Sequence, residues 1–218
     1  MANAFEMLSQ TGIVPVITID RPEDAVPLAH ALLDGDIGCI EITFRTSAAE
    51  EAIRRIRSEC HEVLVGAGTV LTVQQAEQAV HVGAQFIVSP GFDFSIVDWC
   101  QQHNVPVLPG VATPTEINMA LSRGLKLLKF FPAEEIGGVR MLKALYAPYS
   151  EVRFIPTGGI RSHNLAQYLA LPNVVACGGS WMATASMISE RKFDEIAHVS
   201  REARAIIRQL RGEREVKR

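Results

Sequence analysis

Eight short runs of β-branched and apolar residues recur along this chain, about one every 23 positions, and each is followed by a stretch with helical spacing. The runs cover residues 14–19, 39–44, 63–70, 84–89, 105–111, 125–131, 152–157 and 174–177. Between them, sets such as Ala25, Leu28, Ala29, Leu32 and Leu33, or Ala48, Ala52, Ile53 and Ile56, fall on one face of a helix. An eightfold β/α alternation predicts the α/β class and a (β/α)8 TIM barrel, at the short end of that fold's size range. A doubly wound open sheet also alternates, but with about five or six strands and a single glycine-rich first turn. The stretch around residues 4–8 precedes the first run and is expected to be a short N-terminal helix closing the bottom of the barrel.

No Ser/Gly linker or charge run divides residues 1–218, so one domain is expected. With 48% hydrophobic and 21% charged residues the chain is built for a packed core, which excludes disorder and low-complexity arrays. The net charge of −3 gives no basic surface for nucleic acid or an anionic membrane, so small-molecule partners are expected. Cys39, Cys60, Cys100 and Cys177 are widely spaced without a CxxC pair, which fits reduced thiols and a cytoplasmic location. The first ten residues lack the basic and apolar regions of a signal peptide. The charge-free stretch 164–189 is broken by Pro172, Gly178 and Gly179 and is not expected to span a bilayer. Seven Arg or Lys against three Glu in the last eighteen residues are read as a solvated terminal helix with a frayed end, not as a binding tail.

In a barrel, alternate strand residues point inward and chemistry gathers at the C-terminal ends of the strands. The second run places Glu41, Thr43 and Arg45 on one face and Ile40, Ile42 and Phe44 on the other. The apolar face belongs against the helices, so Glu41 and Arg45 are expected at the barrel mouth. The sixth run puts Leu127, Lys129 and Phe131 on one face. Flanked by Leu128 and Phe130, Lys129 lies in apolar surroundings that favour a neutral amine, the form that attacks a carbonyl. A purely structural pairing of Lys129 with Glu41 is the alternative. The last two runs lead into Pro-Thr-Gly-Gly-Ile and Cys-Gly-Gly-Ser-Trp, with Gly158, Gly159, Gly178, Gly179 and Ser180 in the loops that bind phosphate in this fold. Either glycine pair alone also fits an ordinary tight turn. Thr69 offers a hydroxyl to a carboxylate at the end of the third run. The six histidines show no HxH or HExxH spacing, and no Walker or dinucleotide motif occurs, so neither a metal nor an organic cofactor is expected. Trp99 and Trp181 are read as packing residues.

Taken in order, Pro15-Val16-Ile17, Ile40-Glu41-Ile42-Thr43-Phe44-Arg45-Thr46, Gly66-Ala67-Gly68-Thr69-Val70-Leu71, Ser89-Pro90-Gly91, Pro109-Gly110-Val111, Lys129-Phe130-Phe131-Pro132-Ala133-Glu134, Pro156-Thr157-Gly158-Gly159-Ile160 and Gly178-Gly179-Ser180-Trp181 resemble the bacterial 2-keto-3-deoxy-6-phosphogluconate (KDPG) aldolases, a family that includes 4-hydroxy-2-oxoglutarate (KHG) aldolases. The resemblance spans nearly the whole chain. It implies that Lys129 forms an imine, that Glu41 transfers protons, and that Arg45 and Thr69 hold a pyruvate carboxylate. Pro90, Phe131, Gly158, Gly159, Gly178, Gly179 and Ser180 complete the substrate contacts it implies. A class I, metal-independent cleavage to pyruvate and glyceraldehyde 3-phosphate follows from it, with a place in the Entner-Doudoroff pathway and a homotrimer. Phe44 stands where relatives have Leu, and Asp20-Arg21 where some have two basic residues. Cleavage of 4-hydroxy-2-oxoglutarate to pyruvate and glyoxylate, a phosphosugar isomerase or epimerase barrel without an imine, and a non-catalytic phosphometabolite binder are the alternatives.

Overall fold

The eightfold alternation closes into a ring of parallel strands in the computed structural model, which describes residues 4–216. The strands are β1 (Ile13–Ile17), β2 (Cys39–Thr43), β3 (Leu64–Gly68), β4 (Ile87–Val88), β5 in two pieces (Val107–Leu108 and Gly110–Val111), β6 (Leu127–Phe130), β7 (Arg153–Pro156) and β8 (Cys177–Gly179). Pro109 interrupts β5 because proline has no N–H to give to a ladder, although its carbonyl still accepts from Lys129 N at 3.0 Å. One ladder runs from the first piece of β5 through β4, β3, β2 and β1 to β8, and a second joins the other piece of β5 to β6 and β7. The bridges Phe154–Val174 and Thr157–Gly178 close the remaining gap between β7 and β8. The predicted barrel is therefore the fold that forms.

Among the described residues, ten α-helices surround or follow the ring: α1 (Ala4–Thr11), α2 (Ala25–Asp34), α3 (Ala49–Glu59), α4 (Val73–His81), α5 (Phe94–Gln102), α6 (Pro114–Ser122), α7 (Gly138–Tyr146), α8 (Ser162–Leu169), α9 (Ala185–Ser189) and α10 (Phe193–Val216). Several start at side-chain caps that the sequence supplies just after a strand. Thr72, Asp93, Thr113 and Thr184 each accept a hydrogen bond from the third backbone N–H of the helix that follows. Glu116 completes a capping box with Thr113. Burial tends to raise its carboxyl, yet bonds from the N–H groups of Ala112 and Thr113 and from the Thr113 hydroxyl hold it below the usual range. The outward faces of the strands and the apolar stripes of the helices form the core: Ile40 and Ile42 of β2 and Ala52, Ile53 and Ile56 of α3 have no exposed surface. Each such isoleucine contributes about 1.5–3 kcal/mol by leaving water. The four cysteines are unpaired and buried, and burial pushes the Cys39 and Cys100 thiols up to about 12. No helix among the described residues is long and apolar enough to cross a membrane.

Two expectations need correction. The last strand is Cys177–Gly179 and not the run 174–177, because the ladder to β1 pairs Ile13, Val14 and Pro15 with Cys177, Gly178 and Gly179. The terminal helix is not simply solvated: Ile196, Ala197, Ser200, Ala203 and Ile207 of α10 are buried, and α10 packs on α2 and α8. Gly35 permits this approach, since a Cβ there would lie 2.2 Å from Ser200 Cβ. The basic residues of α10 are largely used on backbone. Arg201 donates to Asp34 O, Arg204 to Thr11 O, and Arg211 to Ser9 O and Gln10 O, all carbonyls at the C-terminal ends of α1 and α2. The expected frayed end of this helix falls at the chain terminus, where residues 217 and 218 lie outside the described residues. Helix α1 sits against β1 and β2 with Leu8 fully buried, at the end of the barrel away from the strand C-termini.

Candidate active site

Strands β2 and β6 stand four places apart in a ring of eight, so their inward side chains face each other across the barrel. Lys129 Nζ lies 3.3 Å from Glu41 Oε1, and the two side chains are 6% and 4% exposed. A charge taken this far from water is tolerable when its counter-ion is within contact distance. Room for the acid comes from β3: a Cβ on Gly68 would lie 2.0 Å from Glu41 Oε1, so any larger residue there displaces the carboxylate. The amine also sits 5.3 Å from the centroid of the Phe131 ring, within range of a cation–π contact. Thr43, one inward step beyond Glu41, is fully buried, with its hydroxyl on Ile17 O at 3.1 Å and beside Thr18 Oγ1 at 3.0 Å.

A cavity of about 320 Å³ opens at the C-terminal ends of β1, β7 and β8. Of the residues expected at a substrate site, Arg45, Phe131, Gly158, Gly159, Gly178, Gly179 and Ser180 line it. Glu41, Lys129, Thr69 and Pro90 do not form its wall; the amine adjoins it through Phe131, which does. Pro90 stands beside β5, its carbonyl 2.0 Å from the place of a Cβ on Gly110, the register partner of Lys129. Thr69 follows β3 with φ +56, a left-handed conformation that a β-branched residue adopts only under constraint from its surroundings. That constraint is visible: Gly68 O accepts from Phe44 N and Val70 N donates to Val88 O, pinning the chain on both sides of Thr69.

The two glycine pairs differ in kind, which corrects the reading of both as loops. Gly158 and Gly159 make a turn at φ +106 and +74. Gly178 and Gly179 lie within β8, where a Cβ would lie 2.2 Å from Thr157 Oγ1 and 2.0 Å from the Trp181 ring respectively. Among the described residues nothing accepts from the backbone N–H groups of Gly159, Ile160 and Ser180, and all three residues line the cavity. Backbone N–H groups without a protein acceptor beside a cavity suit an anion. Thr157 was missed as a site residue by the sequence reading. It is buried and lines the cavity, and its hydroxyl makes only a long 3.5 Å hydrogen bond to Ile155 O. Its inward parity, two residues after Ile155 opposite Lys129, was the available signal. Among the described residues there is no group of three His, Cys, Asp or Glu side chains placed to hold a metal ion.

The model of a family described as KDPG and KHG aldolase matches residues 5–199. A 2-dehydro-3-deoxy-phosphogluconate aldolase of Treponema pallidum (strain Nichols) is 53% identical over 95% of this chain and 99% of its own length. A KHG/KDPG aldolase of Escherichia coli (strain K12) is 43% identical over 92% of this chain and 94% of its own. Among solved structures, the KDPG aldolase of Legionella pneumophila, with pyruvate captured at low pH as a covalent carbinolamine intermediate, superposes with a TM-score of 0.90 at 38% identity, covering 93% of this chain and 98% of that one. A match of this length, on a barrel whose mouth carries the lysine, the acid and the glycine turn of the family's motifs, leaves one assignment: the chain belongs to the KDPG and KHG aldolase family.

Proposed function

We propose that this chain is a class I aldolase that cleaves 2-dehydro-3-deoxy-6-phosphogluconate to pyruvate and glyceraldehyde 3-phosphate through an imine on Lys129. The buried contact between Lys129 Nζ and Glu41 Oε1 at 3.3 Å carries this reading, because it couples a nucleophilic amine to a proton acceptor in a site shielded from water. Lys129 Nζ attacks C2 of the keto acid, and two protons, the one that the Lys129–Glu41 pair shares and the one that the nitrogen sheds on attack, pass through Glu41 to the carbinolamine oxygen, which leaves as water. The protonated imine that remains is an electron sink. Glu41, directly or through a water, then takes the C4 hydroxyl proton; the C3–C4 bond breaks, its electrons enter the imine, and glyceraldehyde 3-phosphate departs. The enamine is protonated at C3 and hydrolysis returns the amine and pyruvate. Arg45 and Thr69 hold the pyruvate carboxylate, and Pro90 and Phe131 flank the pyruvate half. Gly158, Gly159, Gly178, Gly179 and Ser180 frame the phosphate, where unpaired N–H groups line the cavity.

The chemistry needs no metal or organic cofactor. Residues 1–218 act as one catalytic domain, in a cytoplasmic homotrimer serving the Entner-Doudoroff pathway. The relative named for both activities supports cleavage of 4-hydroxy-2-oxoglutarate as a second reaction at the same lysine, since the pyruvate half is common to both substrates. Steady-state kinetics on Ser180→Val test the phosphate assignment. The ratio of kcat/KM for the phosphorylated substrate to that for 4-hydroxy-2-oxoglutarate is expected to fall about 10- to 150-fold, the value of a hydrogen bond to a charged group. An unchanged ratio contradicts the assignment.

A further inference from the structure

The segment after β6 and the turn after β7 are joined by backbone, and a buried side-chain pair packs over them. Ala133 N donates to Thr157 O at 2.8 Å, and Glu134 N to Gly158 O at 3.2 Å. The Glu134 side chain then lies over the turn, so closely that a Cβ on Gly159 would be 2.5 Å from its Cγ. Its carboxylate accepts a hydrogen bond from the hydroxyl of Tyr168, a fully buried residue of α8. Gly138 closes the other side at φ +50, where a Cβ would lie 2.7 Å from Tyr168 Oη and 2.9 Å from Glu134 Oε1. Two glycines on separate segments thus make room for this pair. Burial, with the Glu134 carboxylate beside it, raises the Tyr168 pKa, so the hydroxyl remains a donor at any working pH.

A Gly-Gly turn has more conformational freedom than any other pair of residues, while an anion cradle built from backbone N–H groups works only if those groups stay aimed. Something outside the turn must therefore hold it. Neither Gly158 nor Gly159 has a side chain to do so; Asn164 Nδ2 donates to Gly159 O at 3.2 Å, and Glu134 is the side chain packed on Gly159. We infer that Glu134, fastened by Tyr168, is a positioning residue that fixes the Gly158–Gly159 turn in the geometry that receives the phosphate of the substrate. This rests on the reading of that turn as part of the phosphate site. Glu134 is itself no phosphate ligand, since its charge is of the same sign.

The test compares Glu134→Ala, Glu134→Gln and Tyr168→Phe in the full chain, using calorimetric binding of inorganic phosphate and KM and kcat for the phosphorylated substrate. Glu134→Ala is expected to weaken phosphate binding and raise its substrate KM about tenfold or more, with kcat within about threefold. Glu134→Gln keeps the packing and still accepts from Tyr168, so it restores most of the loss; Tyr168→Phe falls between the two. Reductive trapping of pyruvate on Lys129, which does not involve the turn, is expected to proceed at the native rate in all three. A Glu134→Ala protein with native phosphate affinity and KM overturns the inference, as does one whose pyruvate trapping falls in the same proportion as its phosphate binding. Absence of pyruvate trapping in the unmodified protein overturns the aldolase reading instead, an outcome separate from either.

Discussion

Glu41 and Lys129 share an environment in which neither is tolerable alone. Replacing one partner of a buried ion pair leaves the other charge uncompensated, so both a catalytic and a structural role predict that Glu41 matters for folding. They part on chemistry. Glu41→Gln retains the shape that Gly68 accommodates and loses the proton acceptor, so turnover is expected to fall about 10²- to 10⁴-fold in steady-state assays under conditions where the variant remains folded. Near-native turnover with lowered stability alone would contradict the catalytic role. These two residues were legible in the sequence because strand parity needs only a period of two, and a charge on the inward face of an apolar run stands out. The φ of Thr69 was not legible, since local preference argues against a β-branched residue there and only the contacts of Phe44 and Val70 impose it. Glu134 was legible as part of a motif but not as a partner of Tyr168, 34 residues away.

Elements, taken singly, show where pattern reading stops. The seven other strands fall inside or within a residue of their predicted runs, whereas β8 slides past the apolar run onto Cys177, Gly178 and Gly179. Hydrophobicity located that strand, but the position of its ladder depends on pairing with β1 and on Thr157, which needs glycine at 178 for space. Helix α10 was recognised and its role was not: a basic terminal segment reads as solvated until its arginines are seen on the carbonyls of α1 and α2. Arg204 serves both Thr11 O and the Asp36 carboxylate. Arg204→Ala is expected to lower unfolding free energy by about 1–3 kcal/mol in denaturant titration, leaving kcat unchanged because the contact lies at the far end of the barrel. Partial burial tends to raise the Asp36 carboxyl, but Arg204 and Arg208 bring it below its usual value. A carboxyl lowered in the folded state stabilises above its unfolded pKa of about 3.9 and loses that contribution as pH falls through the folded value. The gap between native protein and Arg204→Ala should therefore narrow below about pH 4; a gap that widens there would contradict the pairing.

Over the whole molecule, the two ends of the barrel divide the work. Helix α1 and the arginines of α10 secure the N-terminal end of the ring, while the ion pair, Thr69, the glycine turn and the cavity gather at the C-terminal end. The site depends on closure: Glu41 and Lys129 are 88 residues apart in sequence and meet only because β2 and β6 become opposite members of an eight-strand ring. Strand parity alone marked both side chains as inward, and it is the eightfold count that makes them neighbours, since a five- or six-strand sheet would not have brought them face to face. The central claim is that the lysine at this crossing forms a covalent imine with the keto acid. Adding borohydride to the native protein with pyruvate, then digesting and mapping by mass spectrometry, tests it most directly. One reduced pyruvate adduct per chain, on the peptide containing Lys129 and with loss of activity, is the result expected; an unmodified active protein, or an adduct on Lys126 or Lys143 in place of Lys129, would contradict it.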